Sequence, residues 1–217
     1  MRITKEKKLE NHARIVATAS RLFRERGFDG VGVAELMEGA GLTHGGFYNH
    51  FGSKEDLMAE ATAQGFSEIA QRYGGQDATA TVERYVSRQH RDARGQGCPA
   101  AALSGEAARQ PKETKAAFAT GIEGLLRTLE ENMAGNHVPG ASARAQAISI
   151  LAQAVGAIVL SRACPDDSAL ADDILDACRA DCCSTVEKGA RGSPLGTASF
   201  TPVALADQRK GVSDEHN

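Results

Sequence analysis

The sequence predicts an all-α protein, with an N-terminal three-helix helix-turn-helix domain followed by a larger C-terminal helical domain. The composition favours helix, because alanine is abundant, tryptophan is absent and proline is sparse until the C-terminal end. Apolar residues recur at spacings of three and four along most of the chain, which is the helical period. Two short helical segments near the N-terminus are joined by a glycine-containing turn, as in a helix-turn-helix.

The first predicted helix spans about residues 9–26. It ends at Gly27, which is typical of a helix C-cap. Its apolar residues fall on one face: Ile15, Ala19, Leu22 and Phe23. Residues 1–8 are polar and basic, and we expect them to be mobile. Phe28, in the turn that follows, is expected to fill a small core.

The helix-turn-helix is predicted from residues 33–50. Its first helix runs from Val33 to about Gly39, and Ala40-Gly41-Leu42 is the tight connection. The second helix runs from about Thr43 to His50, with Thr43 as a plausible N-cap. In such a unit the second helix enters the major groove of DNA, with its N-terminal residues against base edges.

The predicted second helix is too short and too poor in aliphatic residues to be stable alone in water. Neighbouring helices must therefore hold it, and we expect Phe47 and Phe51 to be its core residues. Its outward residues are small or form hydrogen bonds, as expected of a surface that meets a polar partner: Thr43, His44, Gly45, Tyr48, Asn49 and His50.

A fourth helix is predicted from Ser53 to about Tyr73. Ser53 is its expected N-cap, and Glu55 and Asp56 place negative charge in the first turn, where the helix dipole favours it. Gly74 to Asp77 forms a turn. We place the domains at 1–57 for DNA binding and 58–188 for ligand binding and dimerisation, followed by a largely disordered tail at 189–217.

The second domain is predicted to be helical throughout. The expected helices span about 79–94, an alanine-rich segment ending near 109 or 110, 111–133, 142–164 and 169–187, with a loop at 135–140. The helix at 142–164 is apolar on nearly every side. We expect it to be buried against an identical partner, so that the last two helices, about 142–187, form a homodimer. The alternative is a fully buried central helix in a monomer.

Charge and cysteine content restrict the classes of protein. The net charge is −3, yet the first 26 residues are clearly basic, which suits a protein that brings one end to a polyanion. The N-terminus does not resemble a signal peptide, and no apolar run reaches the ~18 to 20 residues of a membrane span. A cytoplasmic location is therefore expected. The cysteine count is five, and no disulfide framework, zinc site or cofactor is indicated.

The segment from residue 41 to 57 resembles the recognition-helix signature of the TetR family of bacterial transcriptional regulators. The matching pattern is Gly-Leu-Thr-x-Gly-Gly-Phe-Tyr-x-His-Phe-x-Ser-Lys-Glu-x-Leu. Together with residues 9–40, the likeness covers roughly the first quarter of the chain. Val31-Gly32-Val33 departs from the family pattern, in which Thr or Ser commonly opens helix two and contacts a phosphate.

The resemblance implies a regulator, by default a repressor, that binds a palindromic operator as a dimer and is released by an inducer. His44 would face a base edge, and the expected phosphate contacts are Thr43, Tyr48, His50 and Lys54. The alternatives are an ordinary exposed histidine at 44 and an ordinary surface lysine at 54. With no arginine in the recognition helix, DNA shape would supply much of the operator preference.

The inducer site has two candidate forms. Cys98, in Gly97-Cys98-Pro99, begins a predicted helix, where the dipole can lower the pKa of a thiol. The resemblance implies a redox or electrophile switch there, whereas the alternative is a small apolar residue in a tight contact. The second form is a reversible small-molecule pocket lined by Tyr85, Phe118, Ile122 and Met133. No polar cluster in the sequence indicates which ligand would bind.

Two other classes of protein compete with the regulator. An enzyme is disfavoured, since no catalytic triad, phosphate-binding loop, metal pair or carboxylate dyad has usable spacing. A helical interaction module, or a small-molecule-binding protein without sequence-specific DNA binding, is the second. Binding that depends steeply on salt and on DNA sequence would distinguish the regulator from both.

Overall fold

A computed structural model describes residues 4–134 and 141–190, and this part of the chain is helical, which confirms the predicted all-α class. The short 3-10 helix at His44–Asn49 is called the 44–49 helix below. The elements are α1 (Lys5–Arg26), α2 (Val33–Gly39), the 44–49 helix, α3 (Lys54–Tyr73), α4 (Ala78–Tyr85), α5 (Arg88–Asp92), a 3-10 turn (Arg94–Gln96), α6 (Pro99–Ala107), α7 (Lys112–Ala134), α8 (Ala141–Ala163) and α9 (Ala169–Ala190).

The N-terminal helices close around a core of aromatic and aliphatic side chains. Phe28 is fully buried and packs on Phe23, with ring centroids 5.3 Å apart, which confirms its predicted role. Leu36 and Met37 of α2 are also fully buried. We refer to α1, α2, the 44–49 helix and the first half of α3 as the head.

The remaining helices form the body, and α3 extends from the head into it. α3 packs along α7, and α8 pairs with α9. Buried Ile158 of α8 and Leu175 of α9 belong to the core of the body. One continuous helix, α3, therefore belongs to both parts.

Three predicted elements differ from the structure. α1 begins at Lys5, because the side chain of Thr4 accepts a hydrogen bond from the Lys7 N–H, so the mobile segment predicted for 1–8 is wrong for residues 5–8. The single helix predicted for 79–94 is wrong, because α4 ends at Tyr85 and Ser87 caps α5 by accepting from the His90 N–H. The helix predicted at 43–50 is a 3-10 helix, and Thr43 makes no side-chain cap bond.

Two further expectations concern the C-terminal half. α9 continues to Ala190, slightly beyond the predicted start of the tail at 189, and the loop predicted at 135–140 and the rest of the tail lie outside the described residues. Residues 143–163 are long and apolar enough to cross a membrane by length and composition. The expectation that no run reaches this length is therefore wrong, although core helices of soluble proteins have the same property.

Candidate nucleic-acid interface

The 44–49 helix is anchored to the head by one side and exposed on the other. Phe47 is fully buried, with its ring centroid 5.5 Å from that of Phe51, which is also buried. Tyr48, the next residue, is 72% exposed. The other exposed residues of this surface are Thr43, His44, Gly45 and Asn49. A six-residue helix is not stable alone, so the Phe47 anchor fixes which groups face outward.

Gly45 is not required by the fold. Its φ is not positive, and no atom of the described chain lies within 4 Å of the position that a Cβ would take. Glycine here leaves the backbone open to close approach from outside the molecule. A partner that approaches the backbone of the 44–49 helix would explain the residue.

An open groove separates the N-terminus of α1 from the 44–49 helix. Lys5 and Lys8 lie on the α1 side, and Asn49 and His50 lie on the opposite side. The N-terminal end of α1 adds the positive end of a helix dipole. The groove therefore favours an anion, and none of the described residues that line it is acidic.

His50 borders this groove in a partly buried position. Burial lowers its pKa, and the charges of His12 and Lys8 lower it further, which favours the neutral ring. Its ring centroid lies 6.1 Å from that of His12, whose Nε2 is 2.7 Å from Glu60 Oε2. A neutral His50 offers a hydrogen bond rather than a fixed positive charge.

Lys54 is tied to the interior of the head. Its Nζ donates a hydrogen bond of 2.6 Å to the carbonyl oxygen of Phe28 and lies 6.0 Å from the centroid of the Phe23 ring. The alternative of an ordinary surface lysine is therefore wrong, because this ammonium holds the start of α3 to the turn after α1.

Glu106 of α6 holds the same turn from the body. Its Oε2 accepts a hydrogen bond of 2.7 Å from the Phe28 N–H. Gly27 has φ +81°, which favours glycine, and a Cβ there would lie 2.4 Å from Glu106 Oε1 and so displace this carboxylate. The backbone of Phe28 is thus bound on both sides, by Glu106 and by Lys54. The sequence gives no sign of Glu106, because the contact joins residues 78 positions apart.

Cys98 does not have the properties of a reactive thiol. It is fully buried, and burial raises the pKa of its thiol, so the predicted lowering by the helix dipole is wrong. Its N–H donates to His90 Nε2 at 2.9 Å, and His90 Nδ1 lies 2.7 Å from the Tyr85 carbonyl oxygen. The acceptor role of Nε2 places the ring proton on Nδ1, and burial lowers the pKa of His90 to about 4.

A small internal cavity of about 30 Å³ lies between α3, α4, α7 and α8. Tyr85 is the one predicted ligand residue that lines it, together with residues that sequence reasoning missed: Ile69, Tyr73, Thr81, Val82, Leu125, Thr128, Leu129, Ile150, Leu151 and Ala154. Phe118 packs instead on Phe66, with centroids 5.3 Å apart. Neither Ile122 nor Met133 lines this cavity. The space is nearly filled and is lined mainly by apolar groups.

The surface of α8 and the start of α9 is unusually apolar. Four large side chains there are substantially exposed: Ile148, Val159, Leu160 and Leu170. Leu160 is 58% exposed. Within 4–134 and 141–190, no group of three or more metal-ligating side chains is gathered, and all five cysteines are free.

Two protein-family models match consecutive parts of this chain. Residues 15–61 match bacterial regulatory proteins of the tetR family, and residues 76–173 match the C-terminal domain of LmrA/YxaF-like transcriptional regulators. The HTH-type transcriptional repressor NemR of Escherichia coli K12 is 30% identical over 138 residues, which cover 57% of this chain and 68% of NemR. The chain therefore belongs to the TetR family of bacterial regulatory proteins.

Other relatives match over shorter segments. The repressor KstR2 of Rhodococcus jostii is 31% identical over 77 residues, 33% of this chain and 38% of KstR2. The regulator TtgR of Pseudomonas putida is 40% identical over 58 residues, 27% of this chain and 28% of TtgR. The matched segments thus span well under two thirds of these two regulators.

Solved structures share the fold over most of the chain. The reduced form of E. coli NemR has a TM-score of 0.65 and 20% identity, covering 80% of this chain and 95% of NemR. A TetR regulator from Legionella pneumophila has a TM-score of 0.67 and 18% identity, covering 85% of this chain and 99% of that one. At these identities the likeness concerns the fold.

Proposed function

We propose that this protein is a cytoplasmic TetR-type repressor that binds a palindromic DNA operator as a homodimer and is released by a small molecule. The observation that carries the proposal is the two-sided 44–49 helix. Its buried Phe47 fixes the helix on the head, while His44, Tyr48 and the open backbone at Gly45 face outward.

The exposed groups suit a DNA groove. His44 can donate to a purine nitrogen or accept from an amino group of a base. Thr43, Tyr48, Asn49 and His50 offer hydrogen bonds to phosphates, and Lys5 and Lys8 add positive charge beside them. Lys54 donates one N–H of its ammonium to the Phe28 carbonyl, and the remaining donors can bind a phosphate. Direct base contacts are few, so sequence-dependent DNA shape would supply much of the preference.

The dimer would form through α8 and α9. The exposed Ile148, Val159, Leu160 and Leu170 supply apolar surface that a second copy would cover. Two heads related by a twofold axis would then meet half-sites about one helical turn apart, roughly 34–36 Å. A ligand that changes the spacing of the heads would break this match and release the operator.

A reversible ligand is favoured over a thiol-reactive inducer acting at Cys98. The thiolate is the reactive form, and burial raises the pKa of Cys98 while removing it from solvent. Alkylation with iodoacetamide tests this choice. We expect the native protein to keep DNA binding and Cys98 to remain unmodified in mass spectra, whereas loss of binding on modification of Cys98 would restore the thiol mechanism.

The proposal is tested by selecting duplexes from a random DNA pool with the purified protein. We expect an enriched palindrome, and an affinity that falls with salt at a log–log slope steeper than about −4. Enrichment without any sequence preference, or no retained DNA, would support the helical interaction module instead. The DNA flanking the protein's own gene provides a second, independent probe.

A further inference from the structure

A polar cleft of about 300 Å³ opens where α3 ends, between α4 and the 3-10 turn at Arg94–Gln96. It is separate from the 44–49 helix and from the small internal cavity. Two arginines lie on its walls, and none of its residues is acidic: Arg72, Tyr73, Arg84, Gln89, His90, Ala93 and Gln96. We call it the Arg72–Arg84 cleft.

Neither guanidinium in this cleft is neutralised. Arg72 donates to the Gln96 carbonyl oxygen at 2.8 Å, and Arg84 donates to Gln76 Oε1 at 3.2 Å. No ion pair formed by the described residues includes either arginine. Because each guanidinium has five N–H donors, both retain donors for an anion.

The two positive charges converge on Tyr73. Burial raises the pKa of the Tyr73 phenol, and the charges of Arg72 and Arg84 oppose this rise. The Arg84 guanidinium lies 6.0 Å from the centroid of the Tyr73 ring. His90, at the base of the cleft, is neutral and both its ring nitrogens face partners within the chain, so the charge of the cleft comes from the arginines.

Tyr73 is also the wall between the cleft and the internal cavity. The Arg72–Arg84 cleft and the cavity both include it in their lining. Beyond its ring lie apolar side chains of the body, among them Val82, Leu125 and Ile150. A rotation of Tyr73 would therefore join a positively charged entrance to an apolar interior.

We propose that the Arg72–Arg84 cleft binds a small organic anion, a carboxylate or a phosphate monoester, that carries an apolar tail. The anionic head accepts hydrogen bonds from both guanidiniums, whose planar forks fit such oxygens. The tail enters the space vacated by the Tyr73 ring, where it contacts the apolar side chains of the cavity. The two parts of the site thus demand an amphipathic ligand.

Binding there would act on the helix that reaches the head. Arg72 and Tyr73 end α3, and Lys54 at its start holds the Phe28 carbonyl. A ligand that turns Tyr73 outward would shift α3 against α7 and move the 44–49 helix. This consequence rests on the proposed function, whereas ligand binding itself does not.

Isothermal titration calorimetry on the full chain without DNA tests the proposal with four probes: hexanoate, hexyl phosphate, hexan-1-ol and inorganic phosphate. We expect saturable binding of at least one hexyl anion, and at least about tenfold weaker binding of hexan-1-ol and inorganic phosphate. The tighter hexyl anion identifies the head group. Equal binding of hexan-1-ol, or no binding of either hexyl anion, would overturn the proposal.

Variants assign the binding to the cleft. Arg72→Gln and Arg84→Gln should each weaken the hexyl anion about tenfold or more, and Arg72→Lys should weaken it less. Arg127→Gln, an exposed arginine on α7, is the control and should bind like the parent. Parent-like affinity in folded Arg72→Gln and Arg84→Gln would refute the site. A protein that binds hexanoate but selects no duplex would refute the proposed function alone.

Discussion

The head and the body expose opposite kinds of surface. The head exposes hydrogen-bonding groups on the 44–49 helix and a groove with Lys5 and Lys8, whereas the body exposes aliphatic side chains on α8 and α9. A polar face suits a hydrated polyanion and an apolar face suits a second protein surface, as the proposed function requires.

The comparison is sharpest within the 44–49 helix itself, where neighbouring aromatic residues face opposite directions. Phe47→Ala should destabilise the head by about 3–5 kcal/mol, because it removes a fully buried ring from a close-packed core. Tyr48→Ala should change the unfolding free energy by less than about 0.5 kcal/mol, as for other surface substitutions. Urea denaturation followed by circular dichroism measures both. Equal losses would show that Tyr48 belongs to the core.

The buried His90 of the body should make the stability of the protein depend on pH. The pKa of His90 in the body falls to about 4 on burial, against an unfolded value near 6.5. Between these pH values the unfolded chain binds a proton that the native state does not. The contribution of His90 to the free energy of unfolding is therefore fully present above pH 6.5 and is lost as the pH falls toward 4.

The expected loss attributable to His90 is up to about 3 kcal/mol across this window. Urea denaturation at pH 7.5 and pH 4.5 measures it, and the His90→Gln variant provides the reference, because glutamine does not titrate and its Oε1 can accept from the Cys98 N–H. An identical pH dependence in parent and variant would show that His90 is not buried as described.

A charge placed on the apolar face of the body should weaken the proposed dimer. Leu160→Glu should weaken self-association by at least about 2 kcal/mol, about 30-fold, because a carboxylate would be buried in an apolar interface. Sedimentation equilibrium measures it, with Arg127→Glu as the exposed control. A parent that remains monomeric at micromolar concentration would contradict the dimer directly.

The link between head and body should give the smallest effect. Glu106→Gln keeps an acceptor for the Phe28 N–H but removes its charge, which should cost about 0.5–1 kcal/mol of stability. Hydrogen exchange at the Phe28 amide should accelerate correspondingly. Glu131→Gln, at an exposed position of α7, is the matched control. Unchanged exchange in Glu106→Gln would remove Glu106 from the link.

Local signals allowed much of the fold to be predicted from the sequence. The bounds of α2, the Ser53 cap of α3 and the burial of Phe47 and Phe51 all follow from nearby residues, and the structure confirms them. The break before α5 had a local signal as well, since Ser87 precedes the helix that it caps. The early start of α1 also had a local signal, since Thr4 caps this helix.

Contacts between distant segments could not be predicted. Burial of Cys98 among α4, α5 and α6 outweighs the helix dipole that favoured a reactive thiol. Arg72 and Arg84 are 12 residues apart in the sequence, and their shared cleft appears only when α3 and α4 fold against the 94–96 turn. The sequence alone therefore showed no polar cluster that indicates a ligand, because helical periodicity does not reveal contacts between separate helices.

The most direct test of the account is the affinity of the 44–49 helix variants for the duplex that the parent selects. Fluorescence anisotropy at fixed salt should show that His44→Ala and Tyr48→Ala each bind about tenfold or more weakly, while the folded Arg127→Ala control binds like the parent. If His44→Ala and Tyr48→Ala hold the duplex as tightly as the parent does, the 44–49 helix is not the DNA-reading element.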